Sequence, residues 1–139
     1  MNVFITGANR GLGLTFVSYY LDHGHSVYAC HRGNTGGLSG MQDHPDLHVL
    51  EWDVTTEPES TLLEALPDSI DLLINNAGIY GPMKNGQTLE AVTADTMHHD
   101  YDVNCEAPLR VDQTLLDRLT RPGATTANVR YNLGSSTEN

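Results

Sequence analysis

Apolar positions along the chain alternate between two patterns, short continuous runs and helical spacing, and the changes between them divide it into strands and helices. Val3, Phe4 and Ile5 form a short apolar run within Asn2 to Thr6, and Leu14, Phe16, Val17, Tyr20 and Leu21 then follow at helical spacing. His23-Gly24-His25 closes that helix, its glycine near the position where helices commonly end. Further strands are predicted over Ser26 to Cys30, Leu47 to Trp52 and Ile70 to Ile74. The last is nearly continuous in apolar residues, as a parallel strand covered on both faces should be. Gly33 to Asp46 is rich in Gly, Asn, Thr, Ser and Asp, which predicts a loop with room for only a short or ragged helix. Leu62, Leu63 and Leu66 give the next helix an apolar face, and Pro67-Asp68 ends it. The longest helical region runs from Thr93 to Leu119, with Met97, Tyr101, Val103, Leu109, Val111, Leu115, Leu116 and Leu119 at mixed i+3 and i+4 spacing and Pro108 marking a kink or break. Arg121-Pro122-Gly123 turns the chain toward a fifth strand near Asn128 to Leu133. This alternation predicts an α/β fold, and 139 residues suffice for one domain that buries roughly two thirds of its unfolded surface.

The turn between the first strand and first helix reads Thr6-Gly7-Ala8-Asn9-Arg10-Gly11-Leu12-Gly13. A tight strand-to-helix turn calls for residues without a Cβ, a pyrophosphate requires close approach of the backbone, and free N–H groups at a helix start favour an anion. The spacing is Gly-x-x-x-Gly-x-Gly in place of the common Gly-x-Gly-x-x-Gly. The stretch resembles the cofactor loop of the short-chain dehydrogenase/reductase family, whose glycines are set this way. The resemblance implies a Rossmann-like, doubly wound parallel sheet of about five strands in the order 3-2-1-4-5. It also implies one NAD(P)-binding domain over residues 1–139, and hydride transfer between a nicotinamide cofactor and a carbonyl or alcohol. Gly7, Asn9, Arg10, Gly11, Leu12 and Gly13 are its cofactor-loop residues.

Cofactor choice is read about 20 positions beyond the glycines, where an acid accepts the 2′-hydroxyl of NAD and an arginine accommodates the 2′-phosphate of NADP. Arg32 occupies that place, and Arg10 lies where the family often carries a second phosphate-binding base. Two guanidiniums can hold a phosphate through charge-assisted hydrogen bonds, so NADP(H) is expected over NAD(H). Asp53-Val54 resembles the family's adenine-holding pair, the carboxylate accepting from the exocyclic amine; Asp53 equally suits capping of the next helix together with Thr55 and Thr56. Asn75-Asn76-Ala77-Gly78 is the most specific resemblance, a tetrapeptide the family carries at the end of its fourth strand beside the cofactor ribose, which assigns Asn76, Ala77 and Gly78 to the cofactor. Val103-Asn104 is similar to the family's central-helix pair, which implies that Asn104 bonds a water of the proton relay. Asn132-Leu133-Gly134-Ser135 resembles the end of the fifth strand, making Ser135 the substrate-orienting serine, with Ser136 the fallback.

Other candidates lead elsewhere. Tyr80 and Lys84 have the family's catalytic Tyr-x-x-x-Lys spacing, but Gly81-Pro82 between them breaks the helix that would align them, so the match is accidental. His98 and His99 point about 100° apart on a helix, and the seven histidines read as scattered and solvated, with no metal site. Cys30 and Cys105 lack Cys-x-x-Cys partners and read as small buried hydrophobes. Eighteen acids against seven bases, a formal charge of −11, disfavour nucleic acid and anionic membranes. No stretch has the length of a membrane helix or the succession of a signal peptide, and a cytoplasmic protein is expected.

The resemblance covers the cofactor half of the family's fold. There a tyrosine follows the serine by about a dozen residues, with a lysine four further on, and together they match hydride transfer with a proton on oxygen. Only Ser136 to Asn139 follow Ser135 here. The expectation is therefore a chain that binds cofactor, lacks the C-terminal catalytic and substrate portion, and does not turn over a carbonyl alone. Its alternatives are a non-catalytic nucleotide-binding or self-associating module, or a gene fragment. A free fifth-strand edge and an uncovered apolar face predict a homodimer or larger assembly.

Overall fold

The computed structural model describes residues 1–81 and 88–130. Five parallel strands, β1 (Asn2–Ile5), β2 (Ser26–His31), β3 (Leu47–Glu51), β4 (Leu72–Asn75) and β5 (Thr125–Asn128), form one sheet in the order β3-β2-β1-β4-β5. The chain crosses one face through α1 (Gly11–Asp22) and the other through α2 (Ser60–Ala65), α3 (Ala94–Tyr101) and α4 (Ala107–Leu115). This is the α/β class expected from the strand–helix alternation, in the Rossmann-like order that the family resemblance implied.

The apolar runs are continuous because each central strand feeds two cores. Val3, Ile5, Val27, Ala29 and Ile74 pack toward Val17 and Leu21 of α1 and toward Leu38. Phe4, Tyr28, Cys30, Leu50 and Leu73 face the other way, against Leu62, Leu66, Ala107, Val111 and Leu115. Phe4 has no exposed surface, and burying a side chain of that size contributes about 1.5–3 kcal/mol.

Local chemistry sets the element ends. After α1 the His25 N–H donates to Tyr20 O and the Gly24 N–H to Leu21 O, the paired pattern that a glycine with φ +76° permits. Leu66 ends α2 in an extended conformation (ψ 149°), as the residue before Pro67 must. Gly36–Gly40 is a single 3₁₀ turn, the short helix for which the intervening loop had room.

Two elements differ from expectation. The helical region is not continuous: a π turn over Asp102–Glu106 separates α3 from α4, and Pro108 sits in the first turn of α4, where its missing N–H costs nothing. Its apolar residues divide between two faces, Val103, Ala107, Val111 and Leu115 being buried while Met97, Tyr101, Leu109 and Leu116 are exposed. β5 starts at Thr125, three residues before the expected strand, because its register follows β4 (Leu72↔Thr125 to Asn75↔Asn128) and not an apolar run; all four of its residues are exposed.

Candidate functional site

The C-terminal ends of β1 to β4 open into a cleft of about 770 Å³, where β1 has β2 on one side and β4 on the other. Open α/β sheets bind ligands at such a switch point. Gly7, Asn9, Arg10, Gly11 and Leu12 line one wall, Arg32, Asp53 and Val54 the second, and Asn76, Ala77, Gly78 and Asn104 the third. Of the cofactor residues singled out in the sequence, Gly13 alone lies behind the wall.

Gly13 is buried in the first turn of α1. A Cβ on it would collide with the Gly7 carbonyl and stand 2.5 Å from Asn76 Nδ2. Gly7, at φ +62°, is pressed as well, its absent Cβ falling 2.8 Å from Ala77 Cα. Polar bonds close this contact: Asn76 Nδ2 donates to the carbonyls of Thr6 and Gly7, both at 3.1 Å. The Thr6 hydroxyl accepts from the N–H groups of Asn76 (3.0 Å) and Ala77 (2.9 Å). Thr6 is the residue the motif contained without a role, and it is buried between β1 and β4. Asn9 secures the loop's other side, donating to Asn34 O at 2.9 Å while its carbonyl accepts from Gly37 N–H.

This locked loop leaves the start of α1 bare. The first intrahelical bond is Leu14 N–H to Arg10 O, and the N–H groups of Gly11, Leu12 and Gly13 have no partner among the described residues. Arg10 supplies no side-chain cap and the first turn holds no acid. Arg10 and Arg32 are both exposed, and neither has a carboxylate partner among the described residues. The positive end of the helix and two guanidiniums thus face one cleft.

On the same wall as Arg32, Thr55 donates its hydroxyl (2.7 Å) and N–H (3.0 Å) to Asp53 Oδ1. Burial raises the Asp53 pKa, but the two Thr55 bonds and the nearby Arg32 and His99 charges outweigh it and hold the carboxyl below its usual range. Asp53 does not cap α2, whose N-cap is Glu59; it closes its own turn, with Thr56 N–H donating to Asp53 O. Cys30 lies beneath, its thiol pushed up to about 12 by burial and by the Asp53 charge against a weak bond to Trp52 O.

Asn104 stands in the π turn and makes a reciprocal pair with the backbone of Ile79, accepting from its N–H and donating to its carbonyl, both at 2.9 Å. The amide of Asn75 donates to Asp112 on α4 and Asn128 on β5, both at 2.9 Å, tying the two last strands to that helix. A residue without any sequence signal, Arg110 on α4, donates to Val54 O at 2.9 Å. Ser135, Ser136 and Lys84 lie outside the described residues; Tyr80 is on the loop before α3, in no helix.

Two expectations about side chains fail. Cys105 is exposed, not buried: it sits midway between Val103 and Ala107, which take the inward positions of the π turn. His31 is buried, because β2 continues to it and its side is covered; its Nδ1 has no partner among the described residues. Among the described residues no three His, Cys, Asp or Glu side chains gather as a metal site, and no helix is long and apolar enough to cross a membrane.

A sequence model described as short chain dehydrogenase matches residues 1–135. The chain belongs to the short-chain dehydrogenase family. Among curated members of this family, it is 28% identical over 117 residues to benzil reductase ((S)-benzoin forming) of Bacillus subtilis, an alignment covering 82% of this chain and 47% of that protein. It is 27% identical over 139 residues to L-fucose dehydrogenase of Oryctolagus cuniculus, covering 96% and 47%. The chain thus spans about half the length of the curated relatives it matches. Of solved structures, a carbonyl reductase from Pseudomonas aeruginosa PAO1 in complex with NADP superposes with a TM-score of 0.80 at 32% identity, covering 91% of this chain and 59% of that one. NADPH-bound carbonyl reductase from chicken fatty liver gives 0.72 at 31%, covering 85% and 51%.

The residues of this short-chain dehydrogenase fit such a dinucleotide. The unpaired N–H groups of the α1 start suit a pyrophosphate, two guanidiniums without carboxylate partners suit a further phosphate, and the cleft admits a molecule of that size. Asp53 Oδ2 and the Val54 N–H, both without hydrogen-bond partners among the described residues, present an acceptor beside a donor. That pair matches the amine and ring nitrogen along one edge of adenine.

Proposed function

We propose that this chain is the cofactor-holding part of an NADP(H)-dependent oxidoreductase that interconverts a carbonyl and an alcohol. The observation that carries the cofactor choice is the pair Arg10 and Arg32, both lining the cleft, neither with a carboxylate within 4 Å among the described residues, with no acid at the end of β2 to receive a ribose 2′-hydroxyl. In this reading the start of α1 binds the pyrophosphate, Arg10 and Arg32 bind the 2′-phosphate, and Asp53 with Val54 receives the adenine. Asn76, Ala77 and Gly78 lie beside the nicotinamide ribose. The nicotinamide supplies the hydride when bound.

The proton that must accompany the hydride comes from outside these 139 residues. Ser135 orients the substrate oxygen and Asn104 holds the relay water, while the family's tyrosine and lysine belong to the portion of the relatives that this chain does not span. The 139 residues alone therefore bind cofactor without reducing a carbonyl. The exposed β5 and the exposed Leu109 and Leu116 support self-association of this chain, and a monomeric mass in light scattering would exclude it.

Trp52, the single tryptophan, lines the cleft and reports its occupancy by energy transfer to reduced nicotinamide. Titration is expected to give saturable binding that favours NADPH over NADH by at least about tenfold, and Arg32→Ala is expected to remove most of that preference. Equal affinity for the two cofactors, or no binding at millimolar concentration, would refute the proposal.

A further inference from the structure

Arg110 is the one cation among the described residues that forms ion pairs within 4 Å: Asp102 Oδ1 lies 3.6 Å from its Nη1 and Glu57 Oε1 3.9 Å from its Nε. Glu57 is exposed and its pull is screened, whereas Asp102 Oδ1 is buried with no hydrogen bond of its own among the described residues. The guanidinium spends its short bond elsewhere, reaching from α4 to the Val54 carbonyl at 2.9 Å. That carbonyl belongs to the turn that brings Asp53 and Val54 to the cleft, and there Asp53 Oδ2 and the Val54 N–H have no hydrogen-bond partner among the described residues.

We infer that Arg110, held by Asp102, is a positioning residue that gives the cleft its selectivity for adenine, an inference that rests on the dinucleotide reading above. An acceptor and a donor recognise a purine edge only if both stay in one plane at fixed separation. The Thr55 bonds to Asp53 Oδ1, one of them from the N–H of the peptide that follows Val54, and the Thr56 N–H bond to Asp53 O shape this turn from within, but they do not tie it to α4. The Arg110 bond fixes it from the far side, without contact with the ligand. The π turn makes this possible, because it carries Asp102 and leads directly into the helix that bears Arg110. The same turn carries Asn104, which clamps Ile79 on the opposite lip, so one segment sets the positions of both lips of the cleft.

A hypoxanthine base tests this directly, since it replaces the amine donor of adenine with an oxygen acceptor and the ring acceptor with an N–H donor. The full 139-residue chain is titrated with NADPH, its hypoxanthine analogue and NADH, read by Trp52 energy transfer. The unaltered chain is expected to favour NADPH over the analogue by about ten- to a hundredfold. Arg110→Met should reduce that ratio to about twofold or less while leaving the NADPH-to-NADH ratio, which Arg32 sets, unchanged. A role in stability alone would weaken all three ligands together and leave the base ratio intact, and that result would overturn the inference. If Arg110→Met does not fold, Asp102→Asn and Arg110→Lys decide. The first should lower the base ratio several-fold and the second, which keeps a donor for Val54, should lower it less; unchanged ratios in both would overturn the inference. A chain that favours NADPH over NADH but binds both bases equally would sink the adenine assignment alone, and a chain that binds no dinucleotide would sink the proposed function with it.

Discussion

The side-chain amide of Asn76 stands 2.5 Å from where a Cβ on Gly13 would be, so the end of β4 and the first turn of α1 share one space. Two motifs 63 positions apart in sequence are thus halves of one contact. The glycine is required by the asparagine at least as much as by any ligand.

Gly13→Ala is expected to destabilise the chain by about 2–3 kcal/mol, because the added methyl meets the Gly7 carbonyl as well as the amide. Asn76→Ala should cost about 1–2 kcal/mol through the two carbonyls it leaves without their donor. The double variant should lose less than the two single losses added, since removing the amide relieves part of the collision. Urea unfolding of the three variants measures this; strict additivity would mean that the two residues do not compete for space.

Asp53 provides a pH-dependent term. Its carboxyl is held below the ordinary 3.8, so its contribution to stability is present at neutral pH and is lost as pH falls from about 4 through the lower folded value. Thr55→Val removes the 2.7 Å hydroxyl bond and should lower stability at pH 7 by about 1 kcal/mol, the partly exposed carboxylate being screened by solvent. The difference between the two proteins should vanish once Asp53 is protonated in both. Unfolding curves from pH 7 to pH 2, with an NMR titration of Asp53, test the sign. A variant whose deficit persists at pH 2 would place the effect in packing instead.

The first four strands and the two glycine-bearing motifs were legible in the sequence because they rest on local signals, apolar runs and turn residues, and the strand order followed from the family resemblance those motifs carry. What was not legible rests on tertiary partners. β5, Thr-Thr-Ala-Asn, carries no apolar run, and only its pairing with Leu72 to Asn75 makes it a strand. The break at Asp102–Glu106 carries Asn104 to the backbone of Ile79, a tertiary partner 25 residues away that no helical periodicity records. Arg110 is invisible for the same reason, since its partner Val54 lies 56 residues away and offers only a backbone carbonyl.

The two cysteines should separate cleanly in reactivity. Cys30 is buried with its thiol moved from 9.0 to about 12, leaving about one thiolate in ten thousand at pH 8, whereas Cys105 is exposed. Ellman's reagent under native conditions is expected to titrate one thiol quickly and the second only on unfolding. The linked effect on stability has the opposite direction to that of Asp53: between pH 9 and about 12 the unfolded chain ionises Cys30 and the folded chain does not, so stability falls as pH rises. Cys30→Ala should flatten that part of the profile, and rapid modification of both thiols in the native protein would contradict it.

Asn104 pairs both polar atoms of its amide with the backbone of Ile79, so its first consequence is mechanical. The segment Asn76 to Gly81 leaves β4 without regular structure, and this pair fixes it just beyond Gly78, whose absent Cβ would lie 3.3 Å from Asn104 Oδ1. An amide oxygen has two lone pairs and an amide nitrogen two hydrogens, so one of each is left free to hold a water after Ile79 is bound. Latch and relay partner are thus compatible roles on different atoms. Asn104→Asp keeps the acceptor for Ile79 N–H but sets a carboxylate oxygen against the Ile79 carbonyl. It should therefore cost more than Asn104→Ala, about 2 kcal/mol against about 1. Hydrogen exchange at the Ile79 amide separates latch from relay: both variants should speed it at least about fivefold even with no cofactor present. Unaltered exchange in Asn104→Ala would show that the pair holds nothing in place, leaving the asparagine only its water.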